Sequence, residues 1–135
     1  MANGLYDKGR EGFLDGSIDW DTDDIRTALY RTSYNANLGS DQFLSTVTPA
    51  NLAATMSSGM TGKTVTAGVA DADDVTFAAV SGTTVEGIVI YKWTGSDATS
   101  RLIANIDTAT GIPFVPSGGS VTITWDSGAN KIFKL

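Results

Sequence analysis

The stretch VEGIVIYKW at residues 85–93 decides the fold class of this chain. Its middle is apolar at consecutive positions, so both faces of an extended strand would be apolar there. A strand that is apolar on both faces belongs in the interior of a sheet, with other layers packed above and below it. The stretch therefore predicts a central strand in a domain built around a β-sheet.

Shorter strand patterns lie on both sides of this stretch. Residues 25–30 alternate between apolar and mixed positions, as a half-buried strand does. Residues 64–69 and 75–80 also alternate, and the intervening ADADD predicts that they form one hairpin with an acidic loop. Three further strand patterns follow, at residues 102–106, 121–125 and 131–135. In the last of these, Phe133 and Leu135 are expected to share a buried face.

The number of strand patterns predicts the architecture. Seven or eight short strands, separated by turns of Gly, Ser and Asp, are typical of a β-sandwich or small barrel. The chain has 135 residues and 15 glycines, which suits one mainly β domain rich in turns. We therefore expect a single β domain over residues 1–135, with a helical N-terminal arm at 1–16 and a β-sandwich at 17–135.

The N-terminal segment has a weak helical pattern over residues 4–15. Asp7 favours the first helical turn, and Gly16 lies where a C-terminal cap belongs. Two internal glycines each cost about 1 kcal/mol relative to alanine, so this helix needs something to dock against. It either lies on its own core or reaches a neighbouring molecule. In the second case the partner interface would consist of the large apolar side chains Leu5, Tyr6, Phe13 and Leu14.

Residues 47–59 carry two conflicting patterns. Thr48 as a cap, Pro49 at the first helical position and Gly59 beyond the end favour a short helix. The small and apolar residues between them are equally compatible with a strand. The sequence leaves helix and strand open here.

Composition and charge exclude several classes of function. A net charge of −6 without a basic run offers no electrostatic footprint for nucleic acid. No apolar run is long enough to cross a membrane, and the N-terminus has no signal-peptide core, so we expect a protein that is made in the cytoplasm and stays soluble. The chain has no His and no Cys, which removes the usual general base and the usual thiol nucleophile. We expect neither an enzyme nor a cofactor.

The stretch DWDTDD at residues 19–24 resembles the start of a helix–loop–helix calcium site, with Asp19, Asp21 and Asp23 as candidate metal ligands. Such a loop needs glycine at its sixth position and a bidentate glutamate at its twelfth, and this chain has Asp24 and Tyr30 there. That motif is therefore excluded. An irregular site that adds a second acidic cluster stays open; the expected state is no metal, with both clusters forming solvated turns. The second cluster is Asp71, Asp73 and Asp74.

Two other features of the sequence bear on ligand binding. Gly62-Lys63-Thr64 resembles the end of a phosphate-binding loop, but the glycine required five residues earlier is Ser57, and a strand pattern follows where the motif needs a helix. The tryptophans could stack on sugar rings, or pack in the core, as the strand positions of Trp93 and Trp125 favour. These tryptophans are Trp20, Trp93 and Trp125.

Four segments together resemble a family of small proteins encoded among the virion genes of tailed bacteriophages. They are LYDKGREGFLDGSIDW, DDIRTAL, GKTVTAGVADADDVTFAAVSG and the final ATSRLIANIDTATGIPFVPSGGSVTITWDSGANKIFKL. The resemblance covers nearly the whole chain, and it favours strand over residues 47–59. It attaches no chemistry to these residues, so no family site residue is carried over.

The resemblance implies a virion structural protein, and within that class a decoration (cement) protein on the outer surface of the capsid. Its partners would be the major capsid protein and copies of itself, with a homotrimer favoured, and it would be located on the virion after synthesis in the host cytoplasm. The competing expectations are a tail or baseplate component, and a receptor- or glycan-binding module.

Overall fold

A computed structural model describes residues 3–47 and 49–135. Within them lie ten β-strands, one α-helix and two short 3₁₀ turns at Leu44–Thr46 and Pro49–Asn51. The helix α1 spans Asp7–Leu14. The strands are β1 Gly4–Leu5, β2 Ile25–Arg31, β3 Leu52–Thr55, β4 Thr64–Thr66, β5 Val69–Asp71, β6 Val75–Phe77, β7 Val85–Lys92, β8 Leu102–Ile106, β9 Val121–Ile123 and β10 Phe133–Lys134.

The strands form three antiparallel sheets. The largest has five strands in the order β1-β8-β7-β2-β3, a second has the order β10-β5-β4, and the third pairs β6 with β9. The predicted central strand is confirmed, since β7 lies between β8 and β2 in the middle of the largest sheet. The mainly β fold is confirmed with it.

Both faces of the five-stranded sheet are buried. On one face, Leu29 and Ile90 belong to the same apolar cluster as Phe77 and Ile123 of the two-stranded sheet. On the other face, Tyr91 and its neighbours pack against residues from the irregular segment 34–47. The prediction of a half-buried β2 was therefore wrong: the strand has a neighbour on each side and a packed layer on each face, so even its Thr27 and Ala28 are buried.

The predicted hairpin between residues 64–69 and 75–80 was also wrong. The hairpin instead covers residues 64–71, where β4 pairs with β5 across a two-residue turn. Ala67 and Gly68 form that turn with φ angles of 52° and 78°, and two successive residues with positive φ match the twist of a tight hairpin. The strand β6 pairs instead with β9, and Thr76 lies opposite Thr122. The two paired residues are more than forty positions apart in the sequence.

The N-terminal segment docks on the chain's own sheet. Gly4 and Leu5 form an edge strand against β8, and α1 follows directly. A Cβ atom on Gly9 would lie 2.8 Å from the carbonyl oxygen of Leu102, so glycine is what allows the helix to approach β8 this closely. The segment expected as an arm at residues 1–16 thus contributes, from Gly4 onward, to the core of the same domain.

At residues 47–59 the sequence left helix and strand open, and at residues 131–135 it predicted a last strand. Residues 47–59 contain both a 3₁₀ turn and the strand β3, while the expected cap at Thr48 lies outside the described residues. At the other end, β10 forms as expected and pairs with β5. Phe133 is half-buried, but Leu135 is 59% exposed, so the two side chains do not share a buried face. No helix in the described part of the chain is long and apolar enough to span a membrane.

Candidate partner-binding surface

The acidic stretch at residues 19–24 is a compact turn that satisfies its own polar groups. The backbone N–H of Asp19 donates to the Asp23 carboxylate at 2.8 Å, and the N–H of Asp23 donates to the Asp19 carbonyl at 3.0 Å. The Asp23 carboxylate also forms an ion pair with Lys92, with 2.9 Å between Asp23 Oδ2 and Lys92 Nζ. The Asp24 carboxylate accepts two hydrogen bonds from the Arg26 guanidinium, both at 2.9 Å. These two carboxylates are therefore engaged by the protein itself.

Asp19 and Asp21 differ from the other two because their side chains are exposed and form no ion pair with any described residue. Hydrogen bonds from Asp21 and Thr22 lower the pKa of Asp19. The pKa of Asp21 is raised, chiefly by its hydrogen-bonded contact with Asp19. Asp19 and Asp21 therefore form a hydrogen-bonded pair of acidic groups at the surface.

The second acidic cluster holds two tryptophans. The indole N–H of Trp20 donates to the Asp71 carbonyl at 3.0 Å, and that of Trp125 donates to the Asp73 carbonyl at 3.1 Å. The Asp74 carboxylate accepts the backbone N–H of Trp125 at 3.0 Å. Both indole rings are buried, so this short loop between β5 and β6 anchors them as part of the core.

The candidate metal ligands are not gathered into a metal site in this structure. Among residues 3–47 and 49–135 there is no group of three or more His, Cys, Asp or Glu side chains that could hold a metal ion. Asp23 is directed to Lys92, and the carboxylates of Asp73 and Asp74 accept hydrogen bonds from Thr61 and Trp125. The carboxylate oxygens of Asp23, Asp73 and Asp74 therefore bind groups of the protein itself.

The third tryptophan borders a groove beside the edge strand β3. The cavity has a volume of about 500 Å³, and Trp93, Tyr91 and Arg26 contribute to its lining. The Arg26 guanidinium lies 5.1 Å from the centre of the Trp93 ring. One face of the half-buried indole is therefore covered by a cation, and that face is not open for stacking against a sugar.

Exposed and half-buried apolar side chains of the three-stranded sheet and of α1 lie together, in what we call the Phe133 patch. It consists of Phe13, Val65, Phe133 and Leu135, which line one shallow cavity of about 300 Å³. Val65 is 56% exposed and Leu135 59% exposed. The carboxylates of Asp19 and Asp21 line the same cavity, so the patch has an acidic rim. Exposed apolar surface with a polar rim is typical of sites that bind other proteins.

A basic cavity shares Phe133 with this patch, and we call it the Lys134 groove. Its volume is about 640 Å³, and its basic side chains are Arg10, Lys131 and Lys134. Arg10 is paired with Asp7 at 2.9 Å, whereas neither lysine forms an ion pair with a described residue. Among the described residues of the lining, Asp126 is the single carboxylate, and the apolar residues of the groove include Ile88, Ile123, Trp125 and Ile132.

The four residues expected at a partner interface have different environments. Leu5 and Tyr6 are buried in the chain's own core, because β1 joins the main sheet and α1 packs on β8. They are therefore not available to a partner. Phe13 is half-buried and its ring centre lies 5.8 Å from that of Phe133, within the Phe133 patch. Leu14 is 89% exposed at the end of the helix.

The sequence did not single out Val65, Lys131 or Lys134 as surface features. Val65 alternates with threonines, and that pattern does not show which face of a short strand is covered. The lysines near the end of the chain are far from Arg10 in sequence and meet it only through the fold. Comparison with models of known protein families gives no match, and comparison with curated protein sequences gives none at a significant level.

Proposed function

We propose that this chain is a non-enzymatic virion structural protein that decorates and stabilises the outside of a tailed-phage capsid. The sequence resemblance to phage virion proteins supports this proposal, as does a chain without His or Cys. The structural observation that carries it is the Phe133 patch, where the domain exposes Val65 and Leu135 beside the half-buried rings of Phe13 and Phe133. Such a surface is suited to association with another protein.

The domain's construction is compatible with that role. Both faces of its main sheet are buried, and the first and last strands, β1 and β10, are each hydrogen-bonded into a sheet. A binding surface built on rigid elements loses little conformational freedom when a partner docks. The proposed partners are the major capsid protein and copies of this chain.

The test uses particles of the encoding phage from which this gene has been deleted. Purified protein is added back, the particles are sedimented, and the bound copies are counted and located by cryo-electron microscopy. We expect many copies spread over the outside of the head and a higher temperature of DNA release. A few copies confined to the tail would instead indicate a tail or baseplate component. No binding to particles, together with binding on a glycan array, would indicate a receptor-binding module.

A further inference from the structure

We infer that the Phe133 patch of one molecule is covered by the Lys134 groove of a second copy of the same chain. This inference deepens the proposed function, since it names the partner of the same patch. It is tested on purified protein alone, so its outcome is independent of capsid binding.

Charge complementarity is the first argument. The rim of the patch carries Asp19 and Asp21, and the groove carries Lys131 and Lys134. None of the four forms an ion pair with the described residues of its own chain. The acidic pair of the patch and the two lysines of the groove are opposite in charge, as residues that face each other across an interface commonly are.

Apolar complementarity is the second argument. The patch exposes Val65 and Leu135, and the groove has Ile132 and Trp125 in its lining. An exposed valine and leucine that enter an apolar groove lose contact with water, while the surrounding charges remain at the rim. This is the usual anatomy of a protein interface, with an apolar centre and a polar border.

The position of β10 between the two surfaces favours one kind of association. Phe133 lines both cavities, while Leu135 lines only the patch and Lys134 only the groove. If two patches met about a twofold axis, the carboxylates of Asp19 and Asp21 from both copies would be brought together, and like charges in contact are unfavourable. When the patch of one copy meets the groove of another, the carboxylates of Asp19 and Asp21 face lysines and not each other. Contacts between two different surfaces of identical chains run head to tail and close into a ring when the rotation permits.

The test is sedimentation velocity of the full chain over a range of protein concentrations, at about 0.1 M and at about 1 M NaCl. Between these two salt concentrations the Debye length falls from about 10 Å to about 3 Å, so attraction between surface charges is screened. We expect a species heavier than the monomer that dissociates more readily at high salt. The double variants D19K/D21K and K131E/K134E should each weaken association by about tenfold or more, because each opposes like charges. Circular dichroism checks that both fold.

The combined variant D19K/D21K/K131E/K134E provides the decisive comparison. It exchanges the charges of the patch and the groove, so association should return towards the wild-type level. Val65→Ser should also weaken association, whereas Val115→Ser is the matched control, since Val115 is 73% exposed and lines neither cavity. A monomeric wild-type protein at every concentration would overturn the inference, as would no recovery in the combined variant. Neither result would bear on attachment of the monomer to capsids.

Discussion

The side-chain hydroxyls of Tyr6 and Tyr34 lie 2.8 Å apart in the interior of the domain. The Tyr34 hydroxyl donates to the Asp41 carboxylate at 2.7 Å, so Tyr6 is the donor to Tyr34. This chain of hydrogen bonds joins the N-terminal segment to the irregular layer that covers one face of the main sheet. It makes the start of α1 a part of the core.

We predict that Tyr34→Phe destabilises the protein more than Tyr6→Phe. In the first variant the buried Tyr6 hydroxyl loses its acceptor and Asp41 loses a donor, which should lower the free energy of unfolding by about 1–3 kcal/mol. In the second, Tyr34 still donates to Asp41, and the loss should be about 1 kcal/mol. Urea denaturation of both variants measures the difference. Equal losses would show that the order of donors in this chain is wrong.

We predict that the tyrosines resist ionisation until the protein unfolds at alkaline pH. Burial raises the pKa of Tyr91 to about 12, and burial also raises the pKa values of Tyr6, Tyr30 and Tyr34. The folded pKa values lie above the unfolded value, so this contribution to stability is fully present below about pH 10 and is lost as pH rises towards the folded values. Absorbance of tyrosinate should therefore appear together with the loss of circular dichroism. Gradual ionisation of the folded protein near pH 10 would contradict the burial of these hydroxyls.

We predict that Gly9→Ala destabilises the protein, although alanine is the better helix former. The new Cβ would lie 2.8 Å from the Leu102 carbonyl oxygen and 2.9 Å from the Ile103 Cα, which are backbone atoms that cannot move aside. The helix must shift, at a cost of about 1–3 kcal/mol. Gly119→Ala is the control, because its nearest neighbour, Ser117 Oγ, is 3.7 Å away. Thermal melts distinguish the two, and a stabilised Gly9→Ala variant would show that the helix is not in close contact with β8.

We predict that Phe133 and Leu135 contribute very differently to stability. The Phe133 ring packs edge-on against Trp20, with ring centres 5.1 Å apart, and also contacts Phe13. Phe133→Ala should cost about 1–2 kcal/mol, less than the roughly 1.5–3 kcal/mol gained by fully burying a large apolar side chain, because the ring is half-buried. Leu135→Ala should change stability by about 0.5 kcal/mol or less, as surface substitutions do. Guanidinium denaturation measures both; a large loss in the leucine variant alone would contradict the orientation of β10.

We predict that neither EDTA nor added calcium changes the melting temperature. Asp23 is engaged with Lys92 and the turn backbone, and the described residues form no cluster suited to a metal. A ligand at about a hundred times its dissociation constant would add about 2.7 kcal/mol, which is several degrees for a domain of this size. Differential scanning calorimetry with and without calcium makes the comparison. A calcium-dependent rise of that order would restore Asp19, Asp21 and Asp23 as ligands.

Local pattern was sufficient wherever a feature depends on the chain's immediate neighbours. The apolar run of residues 85–93 determined that β7 is a central strand, because a strand exposes alternate residues to opposite faces and this one is apolar on both. The turns rich in Gly, Ser and Asp likewise determined a mainly β domain. The absence of glycine and glutamate at the required loop positions was enough to exclude the regular calcium motif.

Only the tertiary structure decided which strands pair and which surfaces remain open. The pairing of β6 with β9, and not with its neighbour along the chain, depends on contacts between residues far apart in sequence. The same holds for the Phe133 patch, where Phe13, Val65 and Leu135 come from three distant segments. A side chain's alternation along a strand is local, but its burial depends on what packs over that face. For this reason Leu5 and Tyr6 are in the core, and Val65 and Leu135 are at the surface.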